Sequence, residues 1–328
     1  MNKKVIVIGI GRMGVRHLRG INGIQGLDVF AVDSSEKAIA DAKKNVFNFF
    51  IEWHHDLTKL SALKFDIAII SSTADARLEN LEWCIEHGVK NILLEKPLAQ
   101  SRGELDMMGS IIKKSSVNVY CNFYRRQLKY CLDIKQRIHL DGVAQRHLTM
   151  IVASGAMGLA CNGLHYIDSA IHLTESQNPV LVSGWLDKTP IQSGRGIGFS
   201  DFGGCAVIQL NEYSKLILNV MADSSAPTIL LYYENHELTI VDQDADITIQ
   251  YLREKNSEKP YYLYGQEYNR SLIQGGETVD LSKLTKEWVL ATMSEGKSNM
   301  PLFHSSIKSH YLLFDLLEVT GQDSFQFT

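Results

Sequence analysis

The sequence predicts an α/β amino-terminal domain built on a doubly wound parallel sheet. An α+β domain with a large open, mainly antiparallel sheet follows it. Three observations predict this order. Up to about residue 121, short apolar runs alternate with helical patterns. The first apolar run ends in a glycine-rich turn that opens a helix. From 179 to about 251, strand patterns follow one another with little helix between them. Alternation implies βαβ units and a parallel sheet; uninterrupted strands imply an antiparallel or mixed one.

The elements can be justified in order. Val5-Ile6-Val7-Ile8 is a strand, and Val15, Leu18 and Ile21 mark the helix after it. Asp28 to Val32 is a second strand, followed by an Ala- and Lys-rich helix over 35–44. Asp66 to Ile70 is continuously apolar after its first residue, as a strand buried on both faces requires. Leu78, Leu81, Cys84 and Ile85 form a helical stripe stopped by Gly88. Strand 90–95, helix 101–114 and strand 117–120 complete a domain of residues 1–121. In the second domain, 122–328, a helix over 127–140 ends at Asp141-Gly142. A strand-like run (145–152), a glycine-rich loop and a helix near 162–173 come next. Residues 216–221 and 228–233 are the clearest of the later strands. Helices at 282–295 and 305–318 close the chain, the last expected to pack back toward the first domain.

Composition narrows the function. The chain has 328 residues, enough for two domains, and 45% of them are apolar. Thirty-three basic and 37 acidic side chains leave a net charge of −4, so nothing marks a nucleic-acid or anionic-membrane surface. The five cysteines (84, 121, 131, 161, 205) lack CxxC spacing, which points to free thiols in a reducing compartment. The chain enters its first strand at once, without a secretory apolar segment, and a cytoplasmic setting is expected. His54-His55-Asp56 has no third ligand at convincing spacing, so no metal is expected; a helix start explains it better.

Gly9-Ile10-Gly11-Arg12-Met13-Gly14 is a GxGxxG turn between a strand and a helix. Gly9 permits the tight turn, Gly11 lets the backbone approach a pyrophosphate, and Gly14 allows close helix–strand packing. The helix start at Arg12 and Met13 offers amides and positive dipole to phosphates. Asp33 ends the second strand and can accept hydrogen bonds from both ribose hydroxyls while repelling a 2′-phosphate. The expected domain is therefore a Rossmann fold binding NAD in preference to NADP. A bare βα turn, with Asp33 capping the next helix, is the competing reading.

Glu95-Lys96-Pro97 ends a buried strand with a charged pair, at the sheet edge that faces the ligand crevice in such folds. Together with GIGRMG (9–14), Asp33, the Asn-x-x-Arg-Arg segment 122–126 and Asn-Gly-Leu-His-Tyr-Ile-Asp (162–168), it resembles the Gfo/Idh/MocA oxidoreductases. The resemblance implies that Lys96 sits near the nicotinamide and the reacting oxygen, that Glu95 holds it, and that the Lys96–Pro97 bond is cis. It implies His165 as proton acceptor. An aspartate four residues before that histidine is usual in the family; here that position is Cys161, with Asn162 next to it. Asn162 is assigned to substrate or ribose hydroxyls, and Asp168 to orienting His165 or to structure. Where relatives have Thr-Pro-Asn and a nearby histidine, this chain has Ser72-Thr73-Ala74 and Arg77; Ser72 is kept as a cofactor contact. Asn122 and Arg125 are candidate substrate contacts, with a domain-junction salt bridge at Arg125-Arg126 as the alternative. Gly-rich 194–204 is a candidate substrate loop and not a P-loop.

The expected activity is hydride transfer between nicotinamide and a carbinol carbon of a sugar, sugar derivative or nucleotide sugar. A non-catalytic dinucleotide-binding sensor on the same fold is the alternative, kept open by Cys161. A homodimer or homotetramer through the carboxyl-terminal sheet is expected, with neither nucleic acid nor membrane as partner.

Overall fold

A computed structural model describes residues 2–46, 50–140, 147–155, 157–192, 198–221, 228–233, 236–241, 247–253, 268–274, 280–294, 298, 300–319, 321 and 327. The predicted helix end at Asp141-Gly142, the first two residues of strand 145–152 and positions 194–197 of the glycine-rich loop lie outside them. The chain divides into two compact units. The described residues within 2–124 and 280–307 form the first; those within 125–279 and 308–327 form the second.

The first unit follows the predicted rhythm: β1 (Lys3–Ile8), α1 (Arg12–Ile21), β2 (Leu27–Val32), α2 (Glu36–Asn45), β3 (Ile51–His54), β4 (Ile67–Ile70), α3 (Arg77–Glu86), β5 (Asn91–Leu94), α4 (Arg102–Lys114) and β6 (Asn118–Cys121). The strands make one parallel sheet in the order β3-β2-β1-β4-β5-β6. This is the doubly wound order in which the chain reverses direction between β1 and β4, the switch point where ligands bind. Val5 to Val7, Ala68 to Ile70 and Ile92 to Leu94 are at most 1% exposed, so the central strands are covered on both faces. β3 is a strand that the sequence reading did not single out. It is four residues long at the sheet edge, where Ile-Glu-Trp-His buries only Ile51 fully. A short edge strand of mixed polarity carries little periodic signal. Asp56, two residues on, accepts from the Thr58 amide at 2.8 Å and starts a 3-10 turn, Leu57–Leu60.

The second unit contains α5 (Lys129–Leu140), β7 (Leu148–Gly155), α6 (Leu164–Thr174), β8 (Val180–Gln192), β9 (Ser200–Gln209), β10 (Lys215–Met221), β11 (Thr228–Tyr233), β12 (His236–Val241), β13 (Ile247–Arg253) and β14 (Tyr268–Gln274). Its sheet runs β14-β13-β12-β11-β7-β10-β9-β8. Among the described strands only β7 and β10 pair in parallel; the other neighbours are antiparallel, as expected of this domain. Alternation puts Met150, Val152, Leu216, Leu218, Ile229 and Leu231 on the buried face, with α6 against it. Ile217, on the other face, is half-buried. The chain ends with α7 (Leu281–Met293), which packs on α1 in the first unit, and α8 (Phe303–Val319).

Candidate active site

In the first unit, hydrogen bonding runs one residue past the paired strands. Gly9 N donates to Val32 O (2.8 Å), Ser71 N to Ile8 O (2.8 Å), Glu95 N to Ile70 O (2.9 Å) and Asn122 N to Leu94 O (2.8 Å). Asp33 N donates to His54 O at 3.2 Å. Parallel register therefore sets Asp33, Gly9, Ser71, Glu95 and Asn122 side by side along the carboxyl edge.

The three glycines of the turn meet three different surroundings. Gly9 has φ +87°, and a Cβ there would lie 2.4 Å from Ser72 N. A Cβ on Gly14 would lie 2.1 Å from Gly9 O, so only glycine lets α1 approach the turn this closely. A Cβ on Gly11 would meet nothing within 4 Å. That open space lies at the start of α1, where no described side chain caps the helix and the first turn carries no acidic residue. Free amides, positive dipole and room beside the backbone fit a pyrophosphate. Ser71 Oγ donates to Gly9 O at 2.7 Å and holds the turn. Asp33 accepts from Ile10 N (2.6 Å) through one oxygen and from Ser35 N (2.8 Å) through the other. Ser35, not Asp33, caps α2, accepting from Ala38 N. A carboxylate offers about four lone-pair positions, so two remain for ribose hydroxyls. The residues present thus fit a bound NAD. Ser72 is fixed from both ends: its carbonyl accepts from Arg77 Nη2 (2.8 Å) and its hydroxyl from Asn80 Nδ2 (3.1 Å). Arg77 is wholly buried at the start of α3.

Glu95 and Lys96 are only 1% and 6% exposed. Glu95 Oε1 accepts from Asn122 Nδ2 (2.6 Å) and from His17 Nε2 (3.0 Å), while Oε2 accepts from the Lys96 amide (3.2 Å). Burial pushes the Glu95 carboxyl upward. The hydrogen bond and charge of His17, the charge of Lys96 and the Asn122 amide outweigh it and hold the group at about 2. Glu95 is thus a carboxylate, and Lys96 stands beside a fixed negative charge. The Lys96–Pro97 bond is cis.

In the second unit, Leu159–Gly163 forms a single π-helical turn that leads into α6. Asp201 of β9 accepts from Ala160 N and Cys161 N, each at 2.8 Å, and so caps this start. Gly158 leaves room for it, since a Cβ there would overlap Asp201. Cys161 and Asn162 are half-buried, and His165 is 3% exposed one turn on. Asp168 is buried, and its oxygens accept from Arg126 Nε (2.6 Å) and Nη2 (2.5 Å). Burial raises the Asp168 carboxyl against the opposing pull of Arg126. The Arg126 position is therefore a structural ion pair, and Asp168 serves it. The Arg125 guanidinium lies 4.5 Å from the Tyr166 ring centroid, a cation–π contact.

The structure thus gathers Gly9, Gly11, Arg12, Met13, Gly14, Asp33, Ser72, Glu95, Lys96 and Asn122 on one edge of the first unit. Cys161, Asn162 and His165 share the start of α6, with Arg125 stacked on the adjacent Tyr166. His17, Thr285 and Asp201 escaped the sequence reading. His17 could have been noticed, since it follows Gly14 by three residues and precedes Leu18 on the buried stripe of α1. Asp201 carries no local signal, because the amides it caps lie 40 and 41 residues away. None of the five cysteines forms a disulfide, and among the described residues no group of three His, Cys, Asp or Glu side chains could hold a metal ion. No helix among them is long and apolar enough to cross a membrane.

Comparison with known proteins places this geometry. No curated protein sequence matches the chain significantly. Solved structures match it end to end at low identity. A levoglucosan dehydrogenase in complex with NADH has a TM-score of 0.77 at 14% identity, covering 99% of this chain and 98% of that one. UDP-N-acetylglucosamine 3-dehydrogenase from Acidithiobacillus ferrooxidans gives 0.71 at 15%, covering 97% and 96%. An oxidoreductase from Agrobacterium radiobacter, in complex with NAD+, L-tartaric acid and magnesium, gives 0.72 at 12%, covering 98% and 96%. At such identities these likenesses establish the fold. Residues 3–123 match the sequence model of the Gfo/Idh/MocA oxidoreductases, described as an oxidoreductase family with an NAD-binding Rossmann fold. Residues 3–123 thus match the NAD-binding Rossmann domain of that family, and the solved structures share the fold of the whole chain.

Proposed function

We propose that this chain is an NAD-dependent dehydrogenase acting on a CH–OH group of a sugar, sugar derivative or nucleotide sugar. The observation that carries the reading is Lys96. It is a buried lysine, fixed beside the ionised Glu95, on the sheet edge that also holds the glycine turn. Bound NAD would supply the hydride acceptor at nicotinamide C4. Lys96 Nζ would donate a hydrogen bond to the reacting substrate oxygen and stabilise its developing negative charge. His165 would take the hydroxyl proton on a ring nitrogen. Asn122 and Glu95 would keep Lys96 in place, and Arg125 and Asn162 would contact substrate hydroxyl or anionic groups. Sugar chemistry is favoured because two of the similar structures are dehydrogenases of levoglucosan and of UDP-N-acetylglucosamine.

The test is NADH absorbance on incubation of the protein with NAD and a panel of sugars, polyols and nucleotide sugars. Reduction with at least one of them supports the proposal. Tight NADH binding without reduction across the panel favours the sensor reading, whose one structural support is Cys161 in place of an acid. His165→Ala is expected to lower turnover about 10²- to 10³-fold while leaving NADH affinity within a few-fold. Undiminished turnover removes His165 from the mechanism.

We also propose a homodimer or homotetramer formed through the carboxyl-terminal sheet. Val180, Val182 and Trp185 on β8 are 58%, 59% and 56% exposed, an apolar edge that self-association would cover. Size-exclusion chromatography with light scattering should report a multiple of 36.9 kDa; a strict monomer rules the assembly out.

A further inference from the structure

We propose that His17 is a positioning residue for Lys96, acting through Glu95, and that it ties the helix beneath the pyrophosphate turn to the lysine. The inference rests on the reading of Lys96 as the lysine that meets substrate.

His17 is 1% exposed and both its ring nitrogens are engaged. Nε2 meets Glu95 Oε1 at 3.0 Å, and Nδ1 meets Thr285 Oγ1 at 2.9 Å. An ionised carboxylate can only accept, so Nε2 carries a hydrogen and donates it. Thr285 Oγ1 also lies 3.2 Å from Leu281 O, the carbonyl one turn back in α7. With the hydroxyl donating there, its lone pair is left to accept from Nδ1. The ring is therefore held at both ends, by a strand end on one side and by a helix from the far end of the chain on the other.

The consequence reaches Lys96 through one residue. Glu95 uses Oε1 for His17 and Asn122, and Oε2 for the Lys96 amide. This carboxylate sits out of water, and its partners are what keep it ionised and in one orientation. Remove His17, and a buried carboxylate that has lost one of its hydrogen-bond donors turns away or takes up a proton. Either way, Lys96 loses the negative charge beside it. His17 also belongs to α1, whose first residue, Arg12, follows the open backbone at Gly11. The same rigid helix thus presents amides to the dinucleotide and a ring nitrogen to Glu95, so neither can shift without the other.

The experiment compares wild type, His17→Leu, His17→Gln and Thr285→Val. Its first readout needs no substrate: the rate at which ethyl acetimidate modifies each lysine, followed by peptide mass spectrometry at fixed pH. With the carboxylate beside it neutralised or turned away, Lys96 is expected to react about tenfold faster in the Leu variant, with the other lysines unchanged. The Gln variant, whose side-chain amide can still donate to Glu95, should label near the wild-type rate. If the Leu variant fails to fold, Thr285→Val decides, since it keeps the volume and removes only the hydroxyl. Faster labelling of Lys96 in it supports the proposal. Equal Lys96 rates in every folded variant overturn it. The second readout is turnover with whichever panel compound reduces NAD. The Leu variant should lose about 10²-fold in kcat with little change in KM or NADH affinity, and the Gln variant should recover most of it. If no compound is turned over by wild type, the dehydrogenase reading fails, while the labelling rates still decide the role of His17.

Discussion

Lys96→Met is expected to cut NAD reduction about 10³-fold while NADH affinity stays within roughly threefold. Methionine keeps an unbranched apolar stem of similar length and deletes the ammonium, so the change isolates the charge. Three features say that the loss falls on chemistry and not on folding. Lys96 is 6% exposed, so its stem is packed and methionine can occupy the same space. Glu95 keeps His17 and Asn122 as partners, so the carboxylate stays satisfied. The glycine turn and Asp33 lie on other strands and bind dinucleotide without the lysine. A donor aimed at a developing oxyanion in a dry site contributes far more than in water, because no solvent competes. Steady-state absorbance of NADH measures the first effect and a fluorescence titration with NADH the second. Turnover within tenfold of wild type would remove Lys96 from the reaction.

The second large effect is expected at Gly9. Gly9→Ala should destabilise the protein by about 3 kcal/mol, combining a left-handed backbone with overpacking. For a chain of this size that is a fall of roughly 4–5 °C in Tm. A Cβ at position 9 would stand 2.4 Å from Ser72 N, 2.5 Å from Ser72 Cα and 2.7 Å from Ser71 C, all backbone atoms. They cannot retreat cheaply, because Ser71 N is bonded to Ile8 O at 2.8 Å. Gly11→Ala makes the contrast. Its methyl group meets open space, so Tm should hold within about 1 °C, the size of an ordinary surface change. NADH affinity should nonetheless fall about tenfold or more, since the methyl group stands where the pyrophosphate must approach. Thermal scans and NADH titrations of both variants separate the two outcomes. A Gly11→Ala protein that binds NADH as well as wild type would place the phosphates elsewhere.

Legibility followed the range of the interaction. GIGRMG could be read because each glycine answers a local demand: a positive φ at Gly9, an approach of α1 to its own turn at Gly14. The unbroken apolar runs at 67–70 and 92–94 likewise identified parallel strands covered on both faces, and Glu95-Lys96-Pro97 stood out as charge at the end of one. Asp33 was legible as an acid after the second strand. That its oxygens also tie Ile10 to Ser35 was not, because only the paired register of β1 and β2 brings those amides to it. β3 went unseen for the opposite reason, since an edge strand that buries one residue leaves almost no pattern. Arg126 and Asp168 were each noticed, but as separate candidates. Forty-two residues separate them, and folding made them one buried pair.

By itself, then, the sequence determined the two-part architecture, the dinucleotide turn and the lysine at its side, because hydrophobic period and glycine placement act on the backbone that carries them. Only the tertiary structure decided what holds that lysine. His17 meets Glu95 across 78 residues and Thr285 across 268, and Asp201 caps the start of α6 from 40 residues away. A buried polar group must find partners wherever packing supplies them, and that choice is made between segments that no local pattern connects.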